Sequence, residues 1–182
     1  CHSTLNLFKQ LGVDIQFLDN KTLKIKSTGE LKKSQTPLDN GNSGTTMRLV
    51  SGILAGQNFN SVMIGDTSLS KRPMKRIIEP LTLMGADITS VDGHAPLTIK
   101  GRPLQGITYH SKLASAQVKS CLLLAGLNAD GETTFIEPYT SRNHTERLFE
   151  YLGADIKING TSVCVKPSQL TAKDIDVVGD IS

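Results

Sequence analysis

The segment Pro80-Leu81-Thr82-Leu83-Met84-Gly85-Ala86-Asp87-Ile88 has two counterparts in the same chain, Leu7-Phe8-Lys9-Gln10-Leu11-Gly12-Val13-Asp14-Ile15 and Leu148-Phe149-Glu150-Tyr151-Leu152-Gly153-Ala154-Asp155-Ile156. In each, apolar residues three apart (Phe8/Leu11, Leu81/Met84, Phe149/Leu152) run into a glycine, the residue that most readily takes the left-handed conformation closing a helix. Each copy reads as helix, glycine stop, strand. Beyond the Asp-Ile step the pattern alternates. Leu23/Ile25, Leu97/Ile99 and Val163/Val165 then face one side of a hairpin, across turns such as Asp92-Gly93 and Asn159-Gly160.

A second helix type also recurs, in Thr45 to Gly56 and in Ala116 to Gly126, both ending in Leu-Ala-Gly. These helices lead into strands at Ser61 to Ile64 and Thr133 to Ile136, so the repeat is about seventy residues of strand-helix-strand-helix-strand-strand. An α/β (α+β) fold of βαβαββ units follows. The chain divides into a single domain of three pseudo-repeats: an incomplete one at about 1–30, then 31–102 and 103–178. The first copy lacks its front half, the chain starts without Met, and Asp176 to Ser182 reads as a strand entering a polar turn with no helix after it. Both ends are expected to be cut from something larger.

Composition narrows the function classes. The 182 residues carry 38% hydrophobic side chains, which excludes a disordered chain. The longest nearly continuous apolar stretch, Cys121 to Leu127, is far short of the roughly 20 residues a membrane helix needs. Three dispersed cysteines, with no Cys-x-x-Cys pair and no histidines at zinc spacing, favour a reduced cytoplasmic setting without a metal. A net charge of +3 with five Phe, three Tyr and no Trp is poor material for a nucleic-acid surface built on stacking. Small anions are the better candidates.

Several helix starts could hold them. Gly41-Asn42-Ser43-Gly44-Thr45-Thr46 offers free backbone N–H groups, and Gly44 leaves room for close approach; the same residues also make an ordinary capped helix start, so both roles stay open. No Walker lysine follows, and the Gly-x-x-Gly likeness to an RNA-binding KH loop is short. Ser70-Lys71-Arg72-Pro73-Met74-Lys75-Arg76 is a basic run in which Arg72, held extended before a helical Pro73, is the candidate anion ligand; Lys71, Lys75 and Arg76 read as solvated, and Pro80 should kink the helix that follows. Ser115 and Gln117 open another helix, either as cap and exposed side chain or as oxyanion ligands. Ser141 reads as the cap of the last helix, and Arg142 stands at the repeat position near Arg72, so two arginines fit a dianion. His144 beside Glu146 allows acid–base work or a surface role. The repeated Asp14, Asp87 and Asp155 read as turn residues, and no catalytic carboxylate is evident.

Taken together, Gly-Asn-Ser-Gly-Thr-Thr-Met-Arg (41–48), Ser-Lys-Arg-Pro-Met (70–74), Ala-Ser-Ala-Gln-Val-Lys-Ser (114–120), Ser-Arg-Asn-His-Thr-Glu (141–146) and the terminal Gly-Asp-Ile-Ser resemble, in order, the EPSP synthase family. The resemblance implies one domain of a two-domain transferase, with helices inside, mixed sheets outside, and substrates in the cleft between domains. It implies carboxyvinyl transfer from phosphoenolpyruvate to the 5-hydroxyl of shikimate 3-phosphate, in aromatic amino acid biosynthesis, with no cofactor and with glyphosate as inhibitor. Ser115, Ala116, Gln117, Ser141 and Arg142 would hold shikimate 3-phosphate; Gly44, Arg72 and Gln117 would hold phosphoenolpyruvate; Asn42, Thr45 and His144, a position where other members carry Tyr, are further candidates. Proton transfer would come from outside this chain, leaving the isolated chain folded but inactive. The implied protein is a cytoplasmic monomer whose second domain is on the same polypeptide, with no nucleic-acid or membrane partner. Alternatives are the sibling transferase acting on UDP-N-acetylglucosamine, whose loop cysteine has no match here, and a non-catalytic anion- or RNA-binding module.

Overall fold

A computed structural model describes residues 2–177 of the chain. The three glycine stops are three helix ends with one geometry. Gly12, Gly85 and Gly153 have φ of 89°, 95° and 82°. Val13, Ala86 and Ala154 donate back to Phe8, Leu81 and Phe149 at 3.0, 2.9 and 2.9 Å, which closes each final turn on its own carbonyls. These helices are α1 (His2–Gln10), α3 (Lys75–Leu83) and α5 (His144–Tyr151).

Each leads into a hairpin: β1 (Asp14–Phe17) with β2 (Leu23–Lys26), β5 (Asp87–Val91) with β6 (His94–Lys100), and β9 (Ile156–Asn159) with β10 (Ser162–Val165). Asp92-Gly93 makes the second turn as expected, both residues at positive φ. The third differs by one residue. Asn159 is still paired to Ser162, so the loop is Gly160-Thr161, with Gly160 at φ 57° in its first position.

The front half of the unit precedes two of these hairpins. β3 (Leu38–Asp39), α2 (Gly44–Ala55) and β4 (Asn60–Ile64) build a sheet of order β3-β4-β6-β5. β7 (Thr108–His110), α4 (Ala116–Gly126) and β8 (Thr133–Ile136) build β7-β8-β10-β9. In both sheets the first pair is parallel and the rest antiparallel, so the two have the same mixed topology.

The two sheets enclose the helices. Met63, Leu97 and Ile99 from one sheet and Phe135, Val163 and Val165 from the other are buried at alternate strand positions, with Val62 and Ile158 exposed opposite. Each such aliphatic burial is worth about 1.5–3 kcal/mol over leaving the side chain in water. Helices α2 and α4 lie innermost, buried from Met47 to Ala55 and from Val118 to Gly126 on most faces. They touch where Gly52 meets the Cys121 backbone, leaving no space for a side chain. Hairpin β1–β2 differs, since Leu23 and Ile25 share a face as expected but are 40% and 58% exposed.

Helix α3 starts later than the sequence suggests. Leu69–Lys71 forms a short 3₁₀ turn, Arg72 is extended at φ −82° and ψ 135°, and the helix begins at Lys75, two residues beyond Pro73. Pro80 is buried inside α3, which continues past it to Leu83. Asp87, at the start of β5, is ion-paired to Lys100 and Arg102 at 3.3 and 3.2 Å, and Asp155, just before β9, to Lys166, just after β10, at 3.8 Å. Of the terminal stretch read as strand and turn, Asp176 and Val177 form no strand, and 178–182 lie outside the described residues, as does Cys1. Among the described residues no helix is long and apolar enough to cross a membrane.

Candidate functional site

The packing of α2 on α4 puts the starts of both helices side by side. Ser43 caps α2 by accepting from the Thr46 N–H at 3.2 Å, and Ser115 caps α4 by accepting from the Val118 N–H at 3.5 Å. Between the caps sits Gln117. Its Nε2 donates to Thr45 Oγ1 at 2.8 Å, and its Oε1 accepts from Arg48 Nη1 at 2.7 Å. With both ends of the amide engaged, Gln117 is fixed in orientation and joins the two helix starts.

Arg48 was not singled out from sequence, although it lies four residues after Gly44 and so on the same helix face. Its Nη2 donates to the Pro73 carbonyl at 3.2 Å, linking the α2 start to the loop before α3. Burial lowers its pKa from the ordinary value, and the nearby Arg76 and Arg72 add to the shift. Arg72 donates from Nη2 to Asn42 Oδ1, and Asn42 donates to Asp66 at 2.9 Å. The Leu69 N–H, then Asn42, hold the Asp66 carboxyl below the usual carboxylate range. A Cβ built on Gly44 would sit 3.2 Å from Arg48 Nη1 and 3.3 Å from Arg72 Nη1, so the missing side chain leaves a gap between two guanidinium groups. Two guanidinium groups and the N-terminal end of α2 meet at that point, a setting that favours an anion.

On the other side of Gln117 a cleft of about 220 Å³ is lined by Thr45, Leu49, Ala116, Gln117, Ser120, Arg142, His144 and Thr145. Arg142 and His144 are exposed, and no carboxylate lines the cleft. Ser120 and Thr145 share a hydrogen bond of 2.6 Å that ties α4 to the start of α5. The anticipated residues therefore form two groups that meet at Gln117: Thr45, Ala116, Gln117, Arg142 and His144 around the cleft, and Asn42, Gly44 and Arg72 around the Gly44 gap.

Two of the anticipated residues sit elsewhere. Ser115 lines a different cleft, of about 300 Å³, with Arg76, Tyr109 and Lys112. Ser141 is not a helix cap: Asn143 precedes α5 without a side-chain cap, and Ser141 instead gives its N–H at 2.8 Å and its hydroxyl at 3.1 Å to Glu137 Oε1. The helix begins at His144, so Ser141 lies two residues before the cap position and its donors go to the carboxylate. The same oxygen accepts from Lys119 Nζ at 2.9 Å, and Lys119 also pairs with Glu146 at 2.6 Å, all three groups being buried. Lys119 is the one charged residue from Val118 to Leu127, a signal that could have marked it as internally paired.

Fold and site together define a repeat-built α/β domain in which helices packed inside mixed sheets bring two helix N-termini and several arginines around a small cleft and the adjoining Gly44 gap. A family model for EPSP synthase (3-phosphoshikimate 1-carboxyvinyltransferase) matches residues 1–182, and the chain belongs to that family. It is 54% identical over 188 residues to the 3-phosphoshikimate 1-carboxyvinyltransferase of Endomicrobium trichonymphae, covering 100% of this chain and 44% of that protein. With the enzyme of that name from Geotalea uraniireducens it is 52% identical over 184 residues, covering 99% and 43%. The solved EPSP synthase from Acinetobacter baumannii superimposes with a TM-score of 0.89 at 47% identity, covering 93% of this chain and 40% of that one. The chain thus spans less than half the length of the relatives it matches.

Proposed function

We infer that this chain is one domain of a two-domain 3-phosphoshikimate 1-carboxyvinyltransferase, built of an incomplete unit and two full βαβαββ units. In this reading shikimate 3-phosphate and phosphoenolpyruvate lie side by side on the inner helix starts. Gln117 carries the reading: one fixed amide adjoins both a cleft containing Arg142 and a glycine gap flanked by Arg48 and Arg72. Two adjacent anion sites are what joining two phosphorylated substrates requires, since each must be held against the other's charge.

The phosphorylated ring occupies the cleft, with Arg142 on its phosphate and Ala116, Gln117, Thr45 and His144 along the ring; Ser141 joins after releasing Glu137, and Ser115, which lines the neighbouring cleft, acts through the cap that sets Ala116 and Gln117 at the start of α4. Phosphoenolpyruvate occupies the Gly44 gap, between Arg72 and Gln117, with Asn42 orienting Arg72; glyphosate competes there. The 5-hydroxyl oxygen adds to C2 of phosphoenolpyruvate, giving up its proton to a base as C3 gains one from an acid. The adduct then loses the C2 phosphate and one C3 proton, leaving the enol ether. No carboxylate lines the cleft, and in this reading the three proton transfers, off the hydroxyl, onto C3 and off C3, fall to the opposing domain. The reading includes a cytoplasmic, monomeric enzyme without a cofactor.

The test is steady-state kinetics on the longer protein containing this chain, following phosphate release with both substrates present. Arg142→Ala should raise KM for shikimate 3-phosphate and Arg72→Ala should raise KM for phosphoenolpyruvate, each by at least about tenfold, the scale of one charge-assisted contact. The 182-residue chain alone should show no turnover. Equal effects of both variants on both substrates, or turnover by the isolated chain, would overturn the assignment.

A further inference from the structure

Behind the cleft, Lys119 ties three elements through buried charge: α4, which carries it; the loop after β8, through Glu137; and α5, through Glu146. One cation faces two carboxylates, and Glu137 Oε2 and Glu146 Oε2 are buried with no hydrogen-bond partner. Such a cluster is a poor source of stability, because desolvating three charges offsets most of their attraction and apolar side chains of the same size would do as well. Its arrangement has a different product. Glu137 Oε1 takes the N–H of Ser141 at 2.8 Å and the hydroxyl at 3.1 Å, so the turn that carries Arg142 into the cleft is anchored at the residue just before it. Burial pushes the Glu137 carboxyl up, but Lys119 and then the two Ser141 donors outweigh it and hold the group below its ordinary range, so it stays an ionised acceptor.

We propose that Glu137, set by Lys119, is a positioning residue for the phosphate end of the cleft: it fixes the Ser141-Arg142 turn through the Ser141 N–H and holds the Ser141 hydroxyl until an oxyanion takes it. A carboxylate only accepts, so in the free protein the hydroxyl proton points to Glu137 and offers the cleft nothing but lone pairs. An arriving phosphate competes for that proton while the N–H bond keeps the backbone in place. This rests on the substrate reading above and adds a residue that touches no substrate.

The experiment uses the longer enzyme and three variants: Glu137→Gln, Glu137→Met and Glu146→Gln. Either Glu137 change leaves Lys119 one carboxylate, as does Glu146→Gln, so the three are matched in buried charge. Positioning predicts a graded effect on one substrate. KM for shikimate 3-phosphate should rise about threefold in Glu137→Gln, which keeps an uncharged acceptor, and about tenfold or more in Glu137→Met, which keeps none. KM for phosphoenolpyruvate and the melting temperature of Glu137→Gln should stay near wild type. Glu146→Gln, whose carboxylate does not reach Ser141, should leave both KM values in place. If Glu137→Met does not fold, Glu137→Gln against Glu146→Gln still decides. Equal effects in those two, parallel rises in both KM values, or no change in either Glu137 variant would overturn the proposal. A wild-type enzyme with no turnover of these substrates would instead remove the functional reading beneath it.

Discussion

Replacing Gly52 by Ala should loosen the pair of helices on which the site is built. A Cβ at Gly52 would come closer than 3.0 Å to the Cys121 carbonyl oxygen and would lie 3.1 Å from its carbon and 3.2 Å from its Sγ. The first two atoms are backbone in the middle of α4, so relief requires the helices to move apart. Overpacking of this kind costs about 1–3 kcal/mol and sometimes more, while Ala in place of Gly in a helix returns about 1 kcal/mol. A rigid backbone neighbour puts the cost at the upper end, for a net loss of about 2 kcal/mol. In a domain of this size that is a fall in Tm of about 4–8 °C, measured by calorimetry or circular dichroism. Gly56→Ala is the internal control. That glycine has φ −89° and its Cβ would meet only Leu104, at 3.7 Å, so the change should be neutral or slightly stabilising. Equal Tm for Gly52→Ala and wild type, or equal losses at both glycines, would refute the close-contact argument.

Other outcomes follow from the site. Gly44→Ala in the longer enzyme should weaken glyphosate inhibition about tenfold while KM for shikimate 3-phosphate moves much less, because the new methyl crowds Arg48 and Arg72 and not Arg142; equal losses would contradict the placement of the Gly44 gap. Lys119→Met strands two buried carboxylates and should cost about 3–5 kcal/mol in urea unfolding. Without the cation, the burial that already pushes Glu137 up loses its main opponent and its folded pKa should move above the unfolded one, so the variant's stability should fall further as pH rises from 5 to 8; a deficit independent of pH would argue against burial of that carboxylate. Asp66 has a lowered folded pKa, so its contribution is present at neutral pH and is lost as pH falls through that value; the stability gap between wild type and Asp66→Asn should close in acid, and a constant gap would show that its charge is not involved.

Features carried by a repeated local pattern were open to reading in the sequence, and features set by which partner a polar group finds were not. The glycine stops at Gly12, Gly85 and Gly153 and the bounds of α4 and β8 depend on local patterns, and each lies where the pattern puts it. Ser115 caps its helix for the same reason. Ser141 carries an equally good capping signature, yet α5 begins only at His144 and the Ser141 N–H and hydroxyl are given to Glu137. Lys119 looks like one more polar residue until α4 is known to be enclosed on most faces. Arg48 appears in a recognisable motif, but its link to Gln117 spans 69 residues and exists only because α2 and α4 pack together. The late start of α3 has a similar origin: a 3₁₀ turn held by Asp66 through the Leu69 N–H occupies the residues before Arg72.

The central claim is that the cleft between α2, α4 and α5 takes the phosphorylated ring, and that the neighbouring cleft beside Tyr109 does not. Equilibrium titration of shikimate 3-phosphate into the longer enzyme tests it, using wild type, Arg142→Ala and Arg76→Ala, with inorganic phosphate as the comparison ligand. The account predicts that Arg142→Ala loses at least tenfold in affinity, about 1.4 kcal/mol, while Arg76→Ala stays within about twofold and phosphate binds far more weakly. Wild-type affinity in Arg142→Ala, with the loss appearing in Arg76→Ala, would place the substrate in the other cleft and contradict the account.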